Sequence, residues 1–171
     1  MNEACIEALL KRRSIRVFKD AEVPLDMILK AIDVARYAPS AGNRQPWRFI
    51  IIRERLEDLA KIFRHSKLLT NAKVAVLVLA NKEESPTSYM VDASLAAMYF
   101  WLALHCMGLG AVWIQTLRNI NELLEFVNAP QEYVPIALFA IGWPAEEPVP
   151  KERKPLNEIT YLERYGESIK Y

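Results

Sequence analysis

The sequence predicts an α+β fold, and three observations predict it. Segments of helical period are interleaved with about four apolar runs of strand length, without the regular βαβ alternation of a parallel sheet. One run, Val74 to Ala80, is apolar without alternation, which implies burial on both sheet faces. A long stretch, Met90 to Met107, is apolar all round at helical spacing. It suits a central core helix, or one packed on both its own sheet and a partner subunit.

In chain order, Ile6, Leu9 and Leu10 give the spacing of a helix face, with Lys11, Arg12 and Arg13 in the last turn. An extended link begins at Val17-Phe18. Pro24 and Asp26 open a second helix whose Leu25, Ile28, Leu29, Ile32 and Ala35 form one apolar side, stopping at Pro39. Trp47 to Ile52 reads as a strand, and Leu56, Leu59, Ala60 and Phe63 mark a third helix. After a polar loop at 81–88 comes the long apolar stretch. It approaches the ~20 residues that a membrane span needs, but Asp92, Ser94 and His105 interrupt it and basic anchors are missing, so a helix ending at Gly108 is expected and no membrane partner.

Ala111 to Gln115 reads as a short strand, and Asn119-x-x-Glu122 as a capping box for a helix carrying Leu123, Leu124 and Val127. Val134 to Ile141 is the last strand, closing at Gly142-Trp143-Pro144. From Ala145 onward the chain turns charged and Pro-rich, which predicts an extended arm over 145–171 on a single domain of 1–171.

Composition narrows the function. A chain of 171 residues buries roughly 70% of its unfolded surface on folding, enough for one sizeable core. A formal net charge of +1 argues against nucleic acid found by bulk electrostatics. Cys5 and Cys106 have no ligand spacing, so neither a disulfide framework nor a metal site is suggested, and a reducing cytoplasm fits. The N-terminus lacks the basic and apolar regions of a signal peptide. The two histidines, His65 on an exposed helix and His105 in the core, have no neighbouring nucleophile, so a hydrolytic triad gains no support.

Two polar clusters remain. Arg12-Arg13-Ser14-Ile15-Arg16 offers three guanidiniums and a hydroxyl, a set that can clamp a phosphate; the ordinary alternative is a solvated basic helix end. Pro39-Ser40-Ala41-Gly42-Asn43-Arg44-Gln45-Pro46-Trp47 joins small residues to two side-chain amides between a helix and a strand. That suits the edge of a planar heterocycle, or simply a turn.

Together with Gly108-Leu109-Gly110-Ala111-Val112-Trp113-Ile114 and Gly142-Trp143-Pro144, these clusters resemble the nitroreductase family of FMN-dependent NAD(P)H oxidoreductases, as a short member, over nearly the whole chain. The resemblance implies a central mixed β-sheet flanked by helices, in a homodimer whose arms embrace the partner and whose flavin sites are shared. It implies FMN as cofactor and NADH or NADPH as co-substrate. Hydride would pass to flavin N5 and then, in a ping-pong cycle, to a nitro compound, quinone or similar flat acceptor. No side chain need be catalytic, because the cofactor performs the chemistry.

By the same resemblance Arg12, Arg13, Ser14 and Arg16 hold the phosphate and ribityl chain, with Arg153 and Lys151 closing from the arm. Pro39, Ser40, Ala41, Asn43 and Gln45 line the ring from the other subunit, and Ile114 with Gln115 meets its N5 and carbonyl edge. Two features depart from the family. Gln115 stands where many short members have Gly, placing a side chain beside the ring. Met98-Tyr99-Phe100-Trp101 stands where amides are common, and reads first as bulkier core packing. The same scaffold hosts dehalogenation and dehydrogenation, and a flavin-binding or dimeric regulatory protein without turnover is a further reading.

Overall fold

The computed structural model describes residues 3–63 and 67–169. His65 therefore lies outside the described residues. The elements are α1 Glu3–Lys11, α2 Leu25–Ala35, β1 Trp47–Ile52, α3 Leu56–Lys61, α4 Lys67–Thr70, β2 Val74–Asn81, α5 Tyr89–Cys106, β3 Gly110–Ile114, α6 Ile120–Val127, β4 Tyr133–Gly142 and α7 Leu156–Ile159. The architecture is α+β, with strand order β1-β2-β4-β3.

The mixed sheet implied by the resemblance is, within this chain, antiparallel at every pairing. Every residue of β2 is buried, as the unbroken apolar run predicts. The pleat sends Val74, Val76, Val78 and Ala80 to one face, with Phe139 and Ile141, beneath α2 and α5. Ala75, Leu77 and Leu79 point the other way, toward Leu59, Leu69, Leu123 and Leu124 of α3, α4 and α6. An antiparallel sheet covered on both faces produces the same continuous apolar run as a parallel one. Between Val78 and Leu79 the register slips past Ile136, a bulge that turns the start of β4.

Helix α5 is the middle of the molecule. Ala93, Ala96, Ala97, Phe100, Ala103 and Leu104 face the sheet, and the small residues let α2 approach closely. Its C-terminus closes in a Schellman arrangement. Gly108, at φ +79°, donates its N–H to His105 O, and Leu109 donates to Leu104 O at 2.9 Å. No helix among the described residues is long and apolar enough to cross a membrane.

Four local expectations change. Helix α1 ends at Lys11, so Arg12 and Arg13 leave it instead of completing its last turn. In α2 the buried side is Ile28, Ala31 and Ala35, while Leu25 and Leu29 are exposed, because contact with α5 selects the small face. The capping box at α6 does not form. Asn119 makes no side-chain cap bond, and its Nδ2 donates instead to Ile62 O at 3.1 Å, tying α6 to the end of α3. The helix before the 39–47 loop ends at Ala35, and the turn Arg36–Ala38 leads to Pro39. From Pro148 onward the arm is mostly exposed, broken only by α7 and an isolated bridge between Tyr161 and Ser168.

Candidate functional site

The arginine cluster gathers at the C-terminal end of α5. The guanidinium of Arg12 lies 4.0 Å over the centre of the Trp101 ring. Trp101 is itself fixed, since its Nε1 donates to Ala111 O at 3.2 Å. Arg12 Nη1 is buried and has no hydrogen-bond partner among the described residues. Burial, then the charges of Arg13 and Arg153, hold its pKa below the ordinary value. Three guanidiniums thus lie within electrostatic reach of one another, and one presents an orphaned donor. A buried unpaired charged donor costs more than the ~1–3 kcal/mol of a neutral one. An anion with exposed oxygen atoms removes that cost.

Arg13 donates from Nη1 to Leu10 O and Arg12 O. It shares a cavity of about 700 Å³ with Lys11, Trp101 and His105, closed by Glu146 and the prolines after it. His105, expected in the core, is instead half-buried at this wall, because Gly108 ends the helix one turn later and opens that side. Burial, then Arg12 and Arg13, lower its pKa.

The link from Ser14 to Phe18 is laid along β3 and β4 by two glycines. Gly110 and Gly142 are register partners. A Cβ on Gly110 would stand 2.8 Å from the Ile15 side chain, and one on Gly142 would stand 2.8 Å from Phe18. Only glycine allows this approach. The link is then stitched down by Ile15 N to Ala111 O at 3.0 Å, and by Arg16 N and Val17 N to Glu146 Oε1. Ser14 is half-buried, and its carbonyl accepts from Arg16 Nη1. Arg16 consequently faces a second cavity, of about 880 Å³, together with Trp113, Ile114 and Gln115. Gln115 is exposed, but its side chain does not project freely. Its Oε1 accepts from Thr116 N at 2.8 Å and from Leu117 N at 3.2 Å, capping its own turn.

The 39–47 loop is fixed elsewhere. Gly42, Asn43 and Gln45 all have positive φ, at +57°, +55° and +50°. For Gln45 that conformation costs about 1–3 kcal/mol, and such strain concentrates at functional sites. Ser40 Oγ accepts from Gln45 N at 3.0 Å, Gln45 Nε2 donates to Asn43 O, and Arg44 Nη1 donates to Ala41 O. The anchor is Asp92, 3% exposed. Its Oδ1 accepts from Ala41 N at 3.0 Å and its Oδ2 from Ser85 Oγ at 2.8 Å. Pro39, Asn43 and Gln45 stand exposed on the outer side, with Ser40 and Ala41 half-buried.

The structure therefore brings together Arg12, Arg13 and Arg153 in one group on the α5 side of β3, and Arg16, Ile114 and Gln115 in another at the strand's end, on the side that faces α3 and α4. It does not bring the 39–45 residues to either. That loop enters β1 and Gln115 leaves β3, at opposite edges of the sheet, about 14 Å apart across three strand spacings and further separated along the strands, since Trp47 lies in line with Val134 while Ile114 pairs with Leu138. Lys151 is exposed in the arm.

The model described as Nitroreductase family matches residues 9–84 and 63–143. The chain belongs to the nitroreductase family. One of its relatives is an Archaeoglobus fulgidus protein whose name places it among the NADH dehydrogenases or NAD(P)H nitroreductases. The two are 34% identical over 153 residues, covering 85% of this chain and 88% of that one. A Thermotoga neapolitana protein named iodotyrosine deiodinase is 29% identical over 174 residues, covering 87% and 91%. A Desulfovibrio desulfuricans protein, described as a nitroreductase and solved in complex with FMN, superposes with a TM-score of 0.86 at 30% identity, covering 94% of this chain and 96% of that one.

The sequence pattern read Trp101 first as core packing, and in this nitroreductase-family chain it also carries Arg12; the roles of Asp92 and Arg118 were not visible in it. Trp101 signals itself as an aromatic between the glycine turn and the arginines, yet aromatics in apolar helices ordinarily pack. Asp92 is the lone carboxylate inside α5, visible as an interruption without its purpose. Arg118, which also lines the second cavity, carries no sequence signal beyond its nearness to Gln115.

Proposed function

We propose that the protein is an FMN-dependent NAD(P)H oxidoreductase that reduces nitro compounds, quinones or similar flat acceptors. The observation that carries this reading is the set of guanidiniums gathered around the edge strand β3, with the orphaned Arg12 Nη1 on its α5 side and Arg16 beside Ile114 and Gln115 at its end. When bound, FMN supplies two-electron hydride chemistry at N5, which no side chain here could supply.

The chain's own residues bind and orient. Arg12, held flat on Trp101, gives Nη1 to a phosphate oxygen; Arg13, Ser14 and Arg153 complete the clamp, with Lys151 at its rim. Arg16 and the Ile114-Gln115 backbone take the ribityl and ring end. With its amide folded onto Thr116 and Leu117, Gln115 leaves the ring's place open, which favours turnover over a flavin-binding protein without it. NAD(P)H and the acceptor would use one place beside the bound flavin in turn, a ping-pong cycle. Each turn consumes one NAD(P)H and one proton, yielding NAD(P)⁺ with a hydroquinone from a quinone, or with a nitroso compound and water from a nitro compound.

Two copies are needed. Val91, Leu95 and Tyr99 form an exposed stripe at i, i+4, i+8 on α5, and Ile6, Leu9 and Leu10 of α1 are exposed as well. A homodimer covers both and delivers Pro39, Ser40, Ala41, Asn43 and Gln45 to the partner's flavin. The free thiols Cys5 and Cys106 suit a reducing cytoplasm. The test is direct: the purified protein is yellow, releases FMN on denaturation, and oxidises NADH or NADPH with menadione or nitrofurazone. A colourless protein unaffected by added FMN overturns the reading. Iodide release from an iodophenol, without reduction of either acceptor, would assign dehalogenation instead.

A further inference from the structure

We propose that Arg118 is a specificity residue that selects flat aromatic acceptors bearing an anionic group, a carboxylate in the simplest case. The inference rests on the flavin reading above and names the substrate class of that same site.

The 880 Å³ cavity lies beside the end of β3. Its walls are mostly apolar, with Phe63, Leu68, Trp113 and Leu117 supplying flat and branched surface for a ring. Its two neutral polar side chains are each held through one atom of the amide. Gln115 Oε1 accepts from the N–H groups of Thr116 and Leu117, and Asn119 Nδ2 donates to Ile62 O. Two cations remain, Arg16 and Arg118, and among the described residues no aspartate or glutamate lines the cavity. Arg16 is tied back through Nη1 to Ser14 O and belongs to the cofactor's end. Arg118 has no hydrogen bond or ion pair among the described residues.

A guanidinium on the mouth of an apolar cavity meets less competition from water than one on an open surface, so its attraction for a carboxylate is stronger there. Its planar fork also fixes the anion's orientation, and with it the orientation of the ring. A neutral acceptor of the same shape obtains the apolar contact alone. The chain thus discriminates by charge at a point separate from the phosphate clamp.

The holoenzyme tests this with 4-nitrobenzoate and 4-nitrobenzyl alcohol, which differ in the anionic group. Binding is measured without reductant, by calorimetry and by perturbation of the bound flavin's absorbance. Wild type is expected to bind 4-nitrobenzoate about tenfold or more tightly than the alcohol. Arg118→Gln removes the preference, and Arg118→Lys, which keeps the charge without the fork, restores part of it. Equal affinities in wild type, or a preference that survives Arg118→Gln, overturn the proposal. So does an effect of Arg118→Gln confined to the binding of NADP⁺ relative to NAD⁺, measured in the same way, which would assign Arg118 to the 2′-phosphate of the co-substrate. Flavin content separates the two levels: a chain that takes up no FMN overturns the flavin reading and this inference together, whereas a flavin-loaded chain without charge preference overturns this inference alone.

Discussion

Arg12 shows how one residue can be costly to the apo chain and useful to the complex. It is stacked on Trp101, with a buried Nη1 that lacks a partner among the described residues and two more guanidiniums close by, and on the proposed reading a phosphate would relieve that cost. Arg12→Ala should weaken FMN binding at least tenfold, since a charge-assisted bond is worth about 1.5–3 kcal/mol, and should raise apo stability slightly. Arg53→Ala, on an exposed residue outside both cavities, is the control; equal losses in a flavin titration would mean that only bulk charge was measured. His105 gives the same cluster a pH dependence. Its folded pKa lies below the ordinary 6.5 through burial, Arg12 and Arg13. The unfolded chain therefore binds the proton first, and stability present above pH 6.5 is lost as pH falls through the folded pKa. In urea melts of apo protein, His105→Gln should lose less stability than wild type between pH 7.5 and 5.5. Identical pH profiles would remove His105 from this role.

At the scale of elements, the apolar periodicity located the four strands and α5 to within a residue or so, because burial on both sheet faces leaves an unambiguous run. What it could not show was rotation and register. Leu25 and Leu29 face outward because α2 meets the small residues of α5, a preference that exists only once the two helices are together. The capping box failed for a related reason: Asn119 had a better acceptor in Ile62 O, a distant residue in sequence. The polar motifs were legible as types of chemistry, and their supports were not. Asp92 is the plainest case, since a carboxylate in an apolar helix declares a partner without naming Ala41 N and Ser85 Oγ. Asp92→Ala leaves the buried Ser85 hydroxyl and the half-buried Ala41 N–H unpaired, so it should destabilise the chain by about 2–4 kcal/mol. Asp92→Asn, which can still accept from Ala41, should cost less than half of that. Urea unfolding compares the three proteins, and an Asp92→Ala variant as stable as wild type would show that the loop holds its left-handed turns without the anchor.

For the whole molecule the question is why Ser40 to Gln45 and Ile114-Gln115 lie at opposite sheet edges when both are expected at one cofactor. On the proposed reading a second copy would resolve it, and the apolar stripes of α1 and α5 give such a copy a surface to cover. Each flavin site would then draw its clamp from one chain and its ring contacts from the other. This has a quantitative consequence. Take one variant with Arg12→Ala and Arg16→Ala, and another with Ser40→Trp, each inactive alone, and refold them as an equal mixture. In a mixed dimer with shared sites, one site receives both defects and the other receives neither. Random pairing makes about half of the dimers mixed, each with one good site of two, so activity should return to about a quarter of wild type per chain. If each site lay within one chain, every site would keep a defect and the mixture would stay inactive. Persistent inactivity, with mixed dimers demonstrated by differently tagged chains, would assign the loop and the clamp to separate sites.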